Sequence, residues 1–416
     1  MTPAARVAAV IEILTQIEDG RRPADEVVRQ WGRRHRFAGS KDRRAISTQL
    51  YAVLRRRGLY AKAAGTQPRS WVLAHLVLGD GRMPHDIAAL FSGDGYAPPA
   101  LTPKECALVR ELSSTGRQEL PAYDVPDFLL PELTEAFGAD LPIALAALDA
   151  PAPLDLRVNT LKTTRADAAT ALAAIGIETQ PTPHAKTGLR VLGTHQIAGT
   201  RAYKDGHIEP MDEGSQIAAA MVDAKSGMQV ADLCAGGGGK TLALAAAMGN
   251  RGQIYATDSD AHRLRQLAPR MKRAGARNIH PLTWPQDGAF GDLDGTCDRV
   301  LLDVPCSGSG AWRRRPELKW RITAADIDRL TTTQDALLGT GAALVKPGGH
   351  LVYVTCSVLP VENERRITAF IQRNPRFKPI TEGHAGIRSG SLGTHLAPHT
   401  HATDGFFISR LHNATL

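Results

Sequence analysis

The chain has 416 residues, 43% of them hydrophobic and 22% charged, with a net charge of +8. That is the composition of a globular protein of two or three domains, and no run of about 18 apolar residues is available to span a membrane. Five cysteines are too few and too odd in number for a disulfide framework, and they point to a reducing, cytoplasmic setting.

Residues 1–118 read as helical. The opening stretch "RVAAVIEILTQI" places Val7, Val10, Ile11, Leu14 and Ile17 at steps of three and four. It reads as an amphipathic helix and not as a secretory signal. "SKDRRAISTQLYAVLRRRGLY" repeats the pattern, with Ser40 as the expected N-cap and Gly58 near its end. Residues 1–70 hold 15 Arg and Lys against 6 Asp and Glu, so the remainder is close to neutral. A basic segment on a neutral body suits a polyanion such as nucleic acid, or a plain solvated helical face. In "WGRRHRF", Arg33, Arg34 and Arg36 interleave with Trp31, His35 and Phe37. Such planes can stack on bases, although Trp31 and Phe37 read first as packing residues.

Residues 119–204 change character. "PAYDVPDFLLPELTEAFG" reads as a proline-punctuated helix pair, "LDLRVNTLK" and "TGLRVLG" as strands, and "TRADAATALAAIGIE" as a helix behind a Thr cap. This suits a small α+β module. Arg157, Asn159 and Lys162 around its first strand are candidates for a phosphate backbone or for the solvated surface.

From residue 205 to 416 apolar strands alternate with helices: "MQVADLC", "GQIYATD", "IHPL", "CDRVLLDVP" and "GHLVYVTCS". This predicts a doubly wound parallel sheet whose ligands bind beyond the C-terminal strand ends. "ADLCAGGGGKT" (231–241) follows the first strand and opens a helix. It is not a P-loop, since Cys234 stands five before Gly239, and it is not a clean G-x-G-x-x-G. Asp258 ends the next strand, about 20 residues on, where an acid accepts from ribose hydroxyls. A nicotinamide dinucleotide or S-adenosylmethionine (SAM) would each fit. Asp232 and Asp303 at strand ends suit a cationic ligand better, which favours SAM. Asp287 in "WPQDG" falls where it could touch adenine, or is an ordinary Asp-Gly turn.

Cys306 in "PCSGSG" and Cys356 in "TCS" both stand at strand ends, 50 residues apart. Plain packing is one reading of them. A metal pair lacks any C-x-x-C or Cys/His cluster with the right spacing, and the histidines His384, His395, His399 and His401 are irregular. Covalent chemistry on a pyrimidine is another reading: a thiolate adds to carbon 6, and carbon 5 then becomes nucleophilic enough to take a methyl group. Cys106, Cys234 and Cys297 read as buried thiols.

The segments "MDEGSQIAA", "DLCAGGGGKT", "YATDSDAHRL", "DVPCSGSG", "RRPELKW", "LVKPGG" and "YVTCSVLPVENE" resemble, in order and spacing, the RsmB/NOP/Sun family of SAM-dependent RNA cytosine-5 methyltransferases. "APLDLRVNTLK" resembles that family's RRM-like module, and residues 1–118 more weakly resemble the NusB-like RNA-binding domain of its bacterial RsmB branch. The resemblance implies a class I SAM-methyltransferase domain, Rossmann-like and α/β, over 205–416. An RRM-like α+β module (119–204) and an all-α NusB-like domain (1–118) would precede it. It implies Cys356 as nucleophile and Cys306 as the cysteine that helps release the methylated base. Cys234, Ala235, Gly236, Gly237, Gly238, Gly239 and Lys240 would form the SAM loop. Asp258 would hold the ribose, Asp287 the adenine side, and Asp303 the SAM amino group and the cytosine. Lys240 would also meet the flipped cytosine.

The implied partner is RNA, ribosomal first and transfer RNA as the alternative, with no membrane, no metal and a monomeric enzyme. One departure stands out. The family turn has Ala-Pro where this chain has Gly236-Gly237, so a looser SAM loop is expected. A DNA cytosine methyltransferase, a non-catalytic RNA-binding factor and a small-molecule methyltransferase are the rival readings.

Overall fold

A computed structural model describes residues 1–20, 22–115, 123–285 and 290–414. They form two compact units, Met1–Pro131 with Trp312–Ile322, and Glu132–Ala311 with Thr323–Leu416. No helix among the described residues is long and apolar enough to cross a membrane.

The first unit is built of helices. Pro3–Gly20 buries Val7, Val10, Ile13, Leu14 and Ile17 in the common core. Ile11 is only partly buried, because it is one residue on from Val10 and so rotated by about 100°. Ser40 is not an N-cap: it is the first residue of the helix Ser40–Arg55, behind Gly39, with no side-chain cap bond. Gly58 does not end that helix. It lies inside the next one, Arg57–Ala64, where a Cβ would meet Trp320 Cη2 at 1.9 Å, so only glycine admits the indole.

Trp320 belongs to "RRPELKW", which lies among these helices although it follows the Cys306 loop in sequence. Arg321 donates to the carbonyl oxygens of Ile17 (3.0 Å) and Arg22 (2.8 Å), at the C-terminal end of Pro3–Gly20. Lys319 Nζ donates to Arg55 O (3.1 Å), the last carbonyl of Ser40–Arg55. Glu317 accepts from the amide of Ala24 (3.3 Å), which opens Ala24–Arg34. Each charge thus meets a helix end of opposite partial charge, where orphan backbone groups need partners.

The second unit holds two sheets. The smaller runs β2 (Thr179–Pro181), β3 (Gly188–Val191), β1 (Leu154–Val158), β4 (Ile208–Pro210), with β1 antiparallel to both β3 and β4. Thr164 caps the helix Arg165–Ala173 by accepting from the Asp167 amide, as expected. Leu156 and Val158 face that helix and join Ala168, Leu172 and Leu189 in one core. The opposite face is charged yet buried: Asp155 takes two bonds from Arg190, and Glu209 pairs with Arg270 and Arg273. Arg157, Asn159 and Lys162 are therefore not a free phosphate-binding edge. Arg157 is buried, Asn159 donates to Gly206 O and Ala274 O, and Lys162 donates to Asp205 O and Arg273 O.

The larger sheet has the order β10 (Phe377–Pro379), β12 (Phe406–Asn413), β9 (Val345–Thr355), β8 (Cys297–Asp303), β5 (Gln229–Asp232), β6 (Gln253–Asp258), β7 (Ile279–Thr283). β11 (Thr394–Leu396) adds to β12. Strands β5 to β9 are parallel to one another, whereas β10, β11 and β12 form an antiparallel edge, joined through β12 to β9, that periodicity did not signal. Apolar clusters cover both faces, Ile254, Val352 and Ile408 on one, and Val300, Leu302 and Leu351 on the other. The chain leaves β5 outward to β6 and β7 and returns to the other side of β5 as β8 and β9. The resulting switch point puts Asp232, Asp258, Asp303 and Cys356 at one end of the sheet.

Candidate active site

The glycine turn is stitched to the end of β6. The Ala235 amide donates to Thr257 O (2.9 Å), and the Gly236 amide donates to Asp258 Oδ2 (2.7 Å). Asp258 Oδ1 accepts from the Asp260 amide (2.8 Å). Gly236 has φ +55°, in the left-handed region, and a Cβ there would lie 2.6 Å from Arg263 Nη2. Alanine at this position would be strained as well as crowded. The Gly-Gly departure therefore accompanies a turn shaped around Gly236. Gly237 O accepts from Arg270, Gly238 caps the helix Gly239–Ala247, and Cys234 is half-buried beside them. Burial, with Asp232 and Asp303 next in effect, pushes the Cys234 thiol well above its ordinary pKa.

Asp232 is buried, and burial lifts its pKa to about 7. Its Oδ2 accepts from Thr241 Oγ1 (2.7 Å), while Oδ1 has no hydrogen-bond partner among the described residues. A buried acceptor left open, with Asp258 and Asp303 at adjacent strand ends, suits a ligand carrying positive charge and hydroxyl donors. SAM has both, in its sulfonium, ammonium and ribose, and the residues present fit it. Asp287 lies outside the described residues.

Lys240 is 8% exposed and pairs with Asp303 Oδ2 at 2.7 Å. Burial works to lower its pKa, but the charge of Asp303 and their hydrogen bond outweigh it and leave the pKa raised. Lys240 is thus held as a cation, with Nζ 5.5 Å from the centre of the Phe406 ring. Phe406, the first residue of β12, belongs to the edge the sequence reading missed. Its one local signal is the adjoining pair "FF".

The two cysteines converge. Cys306 Sγ and Cys356 Sγ are 3.4 Å apart, both as free thiols and both half-buried. The hydrogen bond to Cys356 is the largest cause holding the Cys306 pKa well above its ordinary value, and burial adds to it. Cys356 in turn contributes to the raised pKa of Lys240, so both lie within one electrostatic neighbourhood. The amide of Gly310 donates to Cys356 O (2.9 Å), tying the two loops together. The structure thus brings Lys240, Asp303, Cys306 and Cys356 to the end of the sheet that also carries the glycine turn and Asp258. Two neighbouring thiols, a buried cation and carboxylates at one end of the sheet can support covalent addition to an electron-poor ring. The histidines of 384–401 do not gather: His395 pairs with Glu364, His399 packs on Phe137 and His401 faces His184.

Comparison with known proteins gives concordant matches. Residues 219–412 match the family described as 16S rRNA methyltransferase RsmB/F, and residues 125–198 match the RsmF/B-like ferredoxin-like domain. A probable ribosomal RNA small subunit methyltransferase B of Synechocystis is 38% identical over 320 residues, covering 74% of this chain and 70% of the relative. The corresponding protein of Bacillus subtilis is 34% identical, covering 71% of each. The crystal structure of PH0851 superposes with a TM-score of 0.80 at 27% identity, covering 99% of both chains.

Proposed function

As the chain belongs to the RsmB/F family of SAM-dependent rRNA methyltransferases, we propose that it methylates carbon 5 of a cytosine in small-subunit ribosomal RNA through a covalent bond between Cys356 and the base. The observation that carries this reading is the 3.4 Å approach of two free thiols beside the Lys240–Asp303 pair.

Cys356, as thiolate, adds to carbon 6 and places an electron pair on carbon 5. Bound SAM would supply the methyl group that carbon 5 takes up, with S-adenosylhomocysteine as the leaving group. Loss of the carbon-5 proton and departure of the Cys356 thiolate restore the aromatic ring. We assign to Cys306, whose Sγ is 3.4 Å from that of Cys356, the task of assisting that release. Lys240 and Asp303 hold the edge of the base and the charge near it. The base must leave its stack to reach these groups, because carbon 6 is shielded within a helix.

The remaining parts serve binding. Arg33, Arg34, Arg36 and Phe37 are exposed, while Trp31 is buried and donates to Glu12, so Phe37 is not the packing residue the sequence suggested. This exposed basic and aromatic stretch, within a domain spanning 1–118, is the part we assign to RNA. The enzyme would act in the cytoplasm as a monomer.

Trapping tests the roles. Wild type, Cys306→Ala and Cys356→Ala are incubated with SAM and small-subunit rRNA and run on denaturing gels. A protein–RNA adduct that accumulates only in Cys306→Ala supports attack by Cys356 and release by Cys306. An adduct in Cys356→Ala alone reverses the roles, and methyl transfer without any adduct in any variant removes the covalent route.

A further inference from the structure

Each working cysteine is followed by a serine, and both serines bond to one buried carboxylate. Glu362 is fully buried. Its Oε1 accepts from the Ser307 amide (2.9 Å) and from Gln334 Nε2 (3.0 Å). Its Oε2 accepts from Ser307 Oγ and Ser357 Oγ, both at 2.5 Å. Gln334 Nε2 also donates to Pro305 O (3.0 Å), the residue before Cys306. Ser309 closes the network, with Oγ 3.0 Å from Ser357 Oγ and accepting from the Val358 amide (2.9 Å).

A fully buried carboxylate is costly unless hydrogen bonds satisfy it. Here four donors do so, and they come from both cysteine loops and from the helix Ala324–Leu344. No ion pair to Glu362 is present among the described residues, so the carboxylate is spent on holding loops and not on matching a cation. We propose that Glu362 is a positioning residue that sets the distance between Cys306 and Cys356 by gripping the residue after each.

The alternative is that Glu362 merely stabilises the fold. The two differ in which substitution restores function. In Glu362→Gln the amide oxygen can face the two fixed donors, the Ser307 amide and Gln334. The amide nitrogen can then donate to the serine hydroxyls, which accept as readily as they donate. The loops stay in place without the charge. Glu362→Ala, or the double change Ser307→Ala with Ser357→Ala, releases them.

This inference rests on the proposal of two working thiols, so its test has one readout that needs no RNA. Full-length variants are treated with diamide, and the rate at which the Cys306–Cys356 disulfide forms is followed by peptide mass spectrometry. The diazene oxidises both thiols, takes up their two protons and becomes the hydrazine. In parallel, kcat and the SAM KM are measured on rRNA. Glu362→Ala and the double serine variant should each slow disulfide formation and lower kcat by about 10- to 100-fold, with the SAM KM within about twofold of wild type. Glu362→Gln should stay close to wild type in both.

Unchanged disulfide rates in a folded Glu362→Ala or double serine variant would overturn the proposal. So would a Glu362→Gln variant as slow as the alanine, since charge and not position would then be the property that matters. Should Glu362→Ala fail to fold, the double serine variant still decides. If rRNA is not methylated even by wild type, the functional reading fails while the thiol kinetics still judge the positioning role.

Discussion

Two stretches that adjoin in sequence use buried charge to different ends. Around the cysteines, Glu362 takes three hydrogen bonds from the cysteine loops and one from Gln334, and has no ion-pair partner among the described residues. In the segment Trp312–Ile322, Glu317 and Lys319, at 2% and 0% exposure, meet helix ends, as does the half-buried Arg321. Loops have no regular hydrogen-bond ladder of their own, so a carboxylate at their centre fixes geometry. A helix already has its ladder and lacks only terminal partners, so a charge there adds stability. The same chemistry is therefore expected to report on rate in one region and on stability in the other.

The largest effect expected in the helical unit comes from Lys319→Met, which removes the Lys319 charge 3.8 Å from Asp124 and its hydrogen bond to the Arg55 carbonyl. Breaking such a buried pair should cost about 3–5 kcal/mol in denaturant unfolding of the helical unit. The methyl-transfer rate per folded molecule should stay the same. A lost rate in a fully folded Lys319→Met protein would erase the contrast between the regions.

Gly58→Ala sharpens the contrast on a smaller scale. Its Cβ would overlap Trp320, and overpacking of this kind costs about 1–3 kcal/mol, readable as a lowered Tm. An unchanged Tm would mean that the indole is not seated against that helix.

The remaining effect is one of pH, at the end of β5. The buried Asp232 has its folded pKa raised to about 7 from the model-peptide value of 3.8. The folded state therefore holds a proton that the unfolded state has released. The associated stability is fully present below pH 3.8 and is lost as pH rises through about 7. Asp232→Asn should flatten that part of the Tm–pH curve between pH 4 and 8. Curves of identical slope would show that Asp232 is already ionised in the folded protein.

Much of this site was legible in the chain. Apolar runs broken by helices fixed the parallel strands, and the strand ends then located Asp258, Asp303, Cys306 and Cys356 together with the glycine turn, because each is written in a local pattern of a few residues. Short periods carry that information, and the switch point follows from strand order. The antiparallel edge was not legible, since β10 and β11 are three residues each and show no period.

What only the tertiary structure decided is how those residues meet. The thiols touch across 50 residues, and Glu362 reaches Gln334 across 28 and Ser307 across 55. "RRPELKW" reads as part of the catalytic stretch yet completes the helical unit, and Arg157 and Asn159 read as phosphate-binding or solvated surface yet are buried. A carboxylate facing water and one buried among four donors are spelled with the same letter. Burial and partnership are properties of the packed chain, which is why the sequence could name the candidate reacting groups but not the buried carboxylate that bonds to the residues beside them.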